Sequence, residues 1–76
     1  MKEVLEYIVR NLVDDPDAVE VDEMEDGQAV HLRVRVAPED VGKVIGKRGR
    51  TARAIRDVVR AAGTRAGVSA VVEIEG

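Results

Sequence analysis

The chain has 76 residues, 45% of them hydrophobic, with a single aromatic residue (Tyr7), no cysteine and a formal net charge of −3. The lack of cysteine excludes disulfides, thiolate zinc sites and cysteine nucleophiles, and it suits a reducing compartment. No apolar run approaches the roughly 20 residues that span a bilayer, and Met1-Lys2-Glu3-Val4-Leu5 lacks the apolar block of a signal peptide, so a soluble, cytoplasmic protein is expected.

The length fits one domain over residues 1–76, small enough to bury only about 60% of the surface that its unfolded chain exposes. Val4, Leu5, Ile8, Val9, Leu12 and Val13 recur at helical spacing, with Glu3, Glu6, Arg10 and Asn11 toward water and Tyr7 off the stripe. The spacing predicts that this helix ends at Asp14-Asp15-Pro16, because the residue before a proline is driven out of the α region. A short strand should follow, with Val19 and Val21 on one face; Met24 is out of phase, which predicts a bulge or a frayed end. Asp26-Gly27 is a two-residue hairpin signal of type I′. Val30, Leu32, Val34 and Val36 then alternate with His31, Arg33 and Arg35 as a second strand.

Pro38, Glu39 and Asp40 mark the start of a short helix that Gly46 stops. After Gly49 a longer helix is expected to line one side with Ala52, Ile55, Val59 and Ala62 and the other with Arg53, Arg56 and Arg60. Gly63 and Gly67 should bracket a turn, before a last strand with Val68, Ala70, Val72 and Ile74 on one face. The order α-β-β-α-α-β predicts an α+β fold in which three helices cover one face of a three-stranded mixed sheet. The first two strands form a hairpin, and the last lies parallel through the helix pair.

Charge is unevenly spread along this order. Residues 1–27 carry ten acids against Lys2 and Arg10, a local charge of −8, whereas residues 28–76 carry ten bases against five acids, a charge of +5. Between Lys43 and Arg65 eight bases face only Asp57. Such segregation gives the molecular field a direction. An acidic first third would repel a polyanion and confine it to the basic side.

The basic stretch contains Val44-Ile45-Gly46-Lys47-Arg48-Gly49-Arg50. Two glycines three apart, between two predicted helices, allow positive φ and close backbone approach. The amides that open the second helix attract anions, and Lys47 and Arg48 add charge at the tip. These parts suit a clamp for a phosphodiester backbone, which holds a strand without reading its sequence. Other glycine-rich motifs fail on spacing. A P-loop needs one more residue between Gly42 and Gly46 and a hydroxyl where Arg48 stands, and a dinucleotide fingerprint follows a strand instead of a helix.

The VIGxxG run between two helices, in this element order, resembles the signature of type II KH domains. The run from Val36 to Arg50, with Asn11-Leu12-Val13-Asp14-Asp15-Pro16, is similar to the KhpA-like family of small bacterial KH proteins. The resemblance implies that Gly46, Lys47, Arg48 and Gly49 clamp about four nucleotides of single-stranded RNA. It also implies that Val44 and Ile45 form the apolar floor under the bases, that Arg50 and Arg53 reach further phosphates, and that the last strand with the turn near Gly63 and Gly67 forms the far wall. RNA chaperoning or post-transcriptional regulation is implied, with no cofactor. So is pairing, either with a second copy or with a larger KH protein. A dimerisation module with weak RNA binding is the alternative.

The aliphatic composition argues against RNA-recognition-motif and cold-shock readings, which need aromatic platforms. An enzyme is not expected, since Thr51 beside the loop has no base near it in sequence and the carboxylates are scattered. His31 has no second histidine or cysteine with which to share a metal. Arg33, Arg35, Arg56 and Arg60 read as ordinary solvated surface.

Overall fold

A computed structural model describes residues 1–76. Helix α1 spans Lys2–Arg10, strands β1 and β2 span Glu20–Asp26 and Ala29–Arg35, helix α2 spans Val41–Ile45, helix α3 spans Arg50–Arg65, and strand β3 spans Ser69–Glu75. Single 3₁₀ turns at Pro16–Ala18, Pro38–Asp40 and Lys47–Gly49 precede β1, α2 and α3. The sheet order is β1-β2-β3. β1 and β2 are antiparallel, and β2 and β3 run parallel through the crossover made by α2 and α3. This is the expected α+β arrangement of a KH domain. No helix is long and apolar enough to cross a membrane.

The alternation read along β2 sets the core. Val30, Leu32 and Val34 point to the face that the helices cover, joined by Val21 of β1 and Val72 of β3. Leu5 and Val9 of α1, Val44 of α2, and Ile55 and Val59 of α3 close over them. Each fully buried aliphatic side chain contributes about 1.5–3 kcal/mol of transfer free energy.

Four local expectations need correction. Helix α1 ends at Arg10, short of Asp14, because Asn11 terminates it: its side-chain amide donates to the Tyr7 carbonyl at 2.7 Å, a local bond that competes with the helix ladder. Leu12 and Val13 both donate to the Val9 carbonyl in the turn that follows and still pack against the core. Met24 forms no bulge. The β1–β2 register is continuous, and Met24 pairs with His31 on the face away from the helices. The hairpin loop is Gly27-Gln28, with positive φ (+63°) at Gly27 alone, which rules out the type I′ turn. Gly63, finally, lies inside α3. A Cβ there would stand 3.0 Å from the Val68 carbonyl oxygen and 3.1 Å from the Ala70 Cβ, so the glycine lets α3 settle onto β3.

Candidate nucleic-acid interface

Helix α2 has only five residues, too few to be stable without tertiary support. Asp40, immediately before it, supplies an anchor. Its carboxylate is buried at 2% exposure and accepts the Asp15 backbone N–H at 3.1 Å. Lys43, one turn on, lies 3.6 Å from the same carboxylate and also donates to Asp14. The hydrogen bond that Lys43 donates to the Asp14 carboxylate is the main cause that holds its ammonium above the usual lysine range. This latch ties the segment after α1 to the helix that carries the loop.

Gly46 ends α2 at φ +75°, ψ 174°. A Cβ at Gly46 would lie 2.6 Å from the Thr51 Cβ and 2.9 Å from the Thr51 backbone nitrogen, so the first turn of α3 rests directly on the glycine. The Gly49 N–H closes the loop onto the Gly46 carbonyl at 3.1 Å. Between them Arg48 sits at φ +58°, the only non-glycine residue with positive φ, and Gly49 follows at +73°. A left-handed arginine costs about 1–2 kcal/mol. Strain of this kind concentrates at functional loops.

Helix α3 then starts with no side-chain cap and no acidic residue in its first turn. Among the lysines and arginines, Arg10, Arg33, Arg35, Lys43 and Arg60 have carboxylate partners within 4.0 Å. Lys47, Arg48, Arg50, Arg53, Arg56 and Arg65 have none, and outside this stretch only Lys2 shares that condition. Unneutralised positive charge is thus collected on the loop and α3.

The structure brings Ile45, Gly46, Lys47, Arg48, Gly49, Arg50 and Arg53 together at the surface, the first half-buried and the four cations exposed. Val44 does not join them. At 0% exposure it belongs wholly to the core and presents no surface to a ligand. Helical periodicity explains the split, since adjacent residues of α2 point about 100° apart. Arg56, read as plain surface, reaches β3 instead, its Nε donating to the Val72 carbonyl at 3.4 Å. Thr51 and Asp40 were not expected to shape the site. The Asp40–Lys43 spacing of three was the available sign of the latch.

Residues 2–74 match the family model described as the KH domain of KhpA/KhpB. The chain is 53% identical over 74 residues to the RNA-binding protein KhpA of Clostridium acetobutylicum, covering 97% of this chain and 99% of that one. It is 54% identical over 65 residues to the protein of the same name from Halalkalibacterium halodurans, with 86% of each chain covered. Against that of Aquifex aeolicus the identity is 43% over 74 residues, with 97% of this chain and 94% of the other covered. The fold, the two-glycine loop between α2 and α3, and similarity along almost the whole length agree: the chain belongs to the KhpA/KhpB family of KH-domain proteins.

Proposed function

We propose that this chain is a single KH module that binds single-stranded RNA. The backbone lies against Gly46-Lys47-Arg48-Gly49 and the start of α3, the bases lie over Ile45, and β3 forms the far wall. The observation that carries this reading is the pairing pattern of the cations: those elsewhere are mostly matched to carboxylates, whereas Lys47, Arg48, Arg50 and Arg53 are not. The names of the relatives point the same way. Binding is electrostatic and weakly selective, as suits an RNA chaperone or post-transcriptional regulator. Contact with a few phosphates gives a log–log salt slope of about −1.5 to −3.

Fluorescence anisotropy of labelled single-stranded RNA at several salt concentrations tests it, comparing wild type with Lys47→Asp/Arg48→Asp. The reading requires wild-type binding, a loss of about tenfold or more in the variant, and a shallower salt slope. Equal binding by both proteins would move the site to the arginines of α3. Absence of binding by either would remove the reading.

A second reading, that the module pairs with a second copy or a larger KH protein, is favoured by one feature of α3. Val58 is 49% exposed and lies between exposed Ala54 and Ala61 on the same side of the helix, an apolar strip separate from the Arg53, Arg56 and Arg60 side. Native mass of wild type and Val58→Glu over a concentration series tests this. A dimer lost in the variant supports it, and monomer throughout removes the homodimer.

A further inference from the structure

The helices cover one face of the sheet and leave the other open. Register sorts the open face into rows that run across the three strands. Glu20, Arg35 and Glu75 form one row, and Asp22, Arg33 and Glu73 the next. Beside them Met24, His31 and Val71 form a row with no carboxylate, in which Met24 is 66% and Val71 45% exposed. Asp26, in the row beyond, closes the other side. A groove of about 740 Å³ follows the β1 edge of this face, with Asp22, Met24, His31, Arg33 and Glu73 in its wall together with Lys2 at the start of α1, whose single charge is outweighed there by Glu23 and Glu25.

We propose that this face is a docking surface for a basic, amphipathic polypeptide segment, whose apolar side chains cover Met24, His31 and Val71 while its cations meet the flanking carboxylates. The two arginines of the face are already engaged. Arg33 lies 3.5 Å from Glu73 and 3.8 Å from Glu75, and Arg35 lies 2.9 Å from Glu20 and 3.8 Å from Asp22. Five carboxylates (Glu20, Asp22, Asp26, Glu73, Glu75) against those two arginines leave the face at −3. A polyanion is therefore repelled. A second copy docked by two-fold symmetry would set this net-negative patch against itself. A basic segment meets neither obstacle, and it gains apolar burial that neither charge pairing nor solvent supplies. Three strands about 4.8 Å apart make the row roughly 10 Å wide, the breadth of one helix or strand pair and not of a domain. The inference is independent of RNA binding at the loop.

The test follows amide chemical shifts of the full chain during titration with a short amphipathic Lys/Leu peptide. An all-Lys peptide of equal length and a Glu/Leu peptide serve as controls. Shifts are expected around Met24, His31, Arg33 and Val71, with binding about tenfold weaker for the all-Lys peptide and none for the Glu/Leu one. Met24→Ser/Val71→Ser and Asp22→Lys/Glu73→Lys should each weaken the Lys/Leu peptide by about tenfold. All four positions are exposed, so melting curves should stay close to wild type. Shifts confined to the helix side, equal binding of the all-Lys peptide, or unchanged affinity in both variants would overturn the proposal. So would a dimer, seen by native mass, that the serine pair abolishes, since the face would then belong to a second copy.

Discussion

Gly46 and Gly49 share a positive φ but neither backbone region nor surroundings: Gly46, at ψ 174°, lies in a region essentially reserved for glycine, and Gly49, at ψ 13°, in the left-handed helical region. Both have φ near +75°, yet a Cβ at Gly46 would strike Thr51 while one at Gly49 would meet nothing within 4 Å. Gly49→Ala should therefore cost only the left-handed strain, about 1 kcal/mol. Gly46→Ala forces a side chain into that glycine-only region and adds a collision with the first turn of α3, and it should cost about 2–4 kcal/mol. Urea unfolding of the two variants checks the order, and equal costs would mean that the loop relaxes at Gly46, shifting both its backbone and Thr51. Arg48 reverses the sign. Arg48→Asn keeps a residue type that tolerates positive φ and should raise stability by about 0.5–1 kcal/mol while weakening RNA binding. A gain in one with a loss in the other would mark strain held for function. The two glycines and the loop cations were legible as sequence because the motif names them. The strain at Arg48 was not, since arginine itself carries no sign of a left-handed backbone.

At the scale of elements, Gly63 shows where pattern and packing part. A glycine inside an exposed helix normally costs about 1 kcal/mol relative to alanine, and by that rule Gly63 read as a helix end. The helix continues past it because β3 approaches closely there, with Val68 N–H donating to the Gly63 carbonyl at 2.8 Å. Gly63→Ala should yield none of the usual helix-propensity gain, and Gly63→Val should be destabilising by about 1–3 kcal/mol through overpacking; thermal melts check both. The apolar stripe of α1 misled in the opposite sense. Leu12 and Val13 keep helical spacing and partial burial, but they do so from a turn, because burial constrains where a side chain points and not the hydrogen bonds behind it. The α2 latch was legible only as a spacing of charges, since its long-range half, Asp15 to Asp40, joins residues far apart in the chain. Its pH response follows from Lys43, whose pKa is raised in the fold. Stability from that pairing is complete below the unfolded lysine value and is lost as pH rises through the higher folded one. The difference in urea midpoint between wild type and Lys43→Met should thus be constant at neutral pH and shrink only under strongly alkaline conditions.

Taken as a whole, the molecule separates its charge by sequestering cations on one face and freeing them on the other. The sequence predicted an acidic first third and a basic middle, and the fold converts that linear split into two surfaces because β1 lies at one edge of the sheet while α3 lies across its inner face. Sequence order did not reveal the second contribution. Glu73 and Glu75, from the far end of the chain, come into register with Arg33 and Arg35 and complete the neutralisation that Glu20 and Asp22 begin. If that arrangement confines RNA to the loop, replacing Glu20, Asp22, Glu23 and Glu25 by their amides should raise non-specific RNA affinity at low salt and steepen the salt slope, because the face loses four negative charges and Arg35 keeps only Glu75, 3.9 Å away, as a partner. The gain should survive Lys47→Asp/Arg48→Asp, since it arises on the opposite face, and it should fade at high ionic strength. Anisotropy titrations of the quadruple variant, with and without the loop substitutions, separate the cases. Unchanged affinity at low salt would show that loop geometry alone directs the strand. A gain abolished by the loop substitutions would show that the acids act on the loop through the general field and not by masking a second surface.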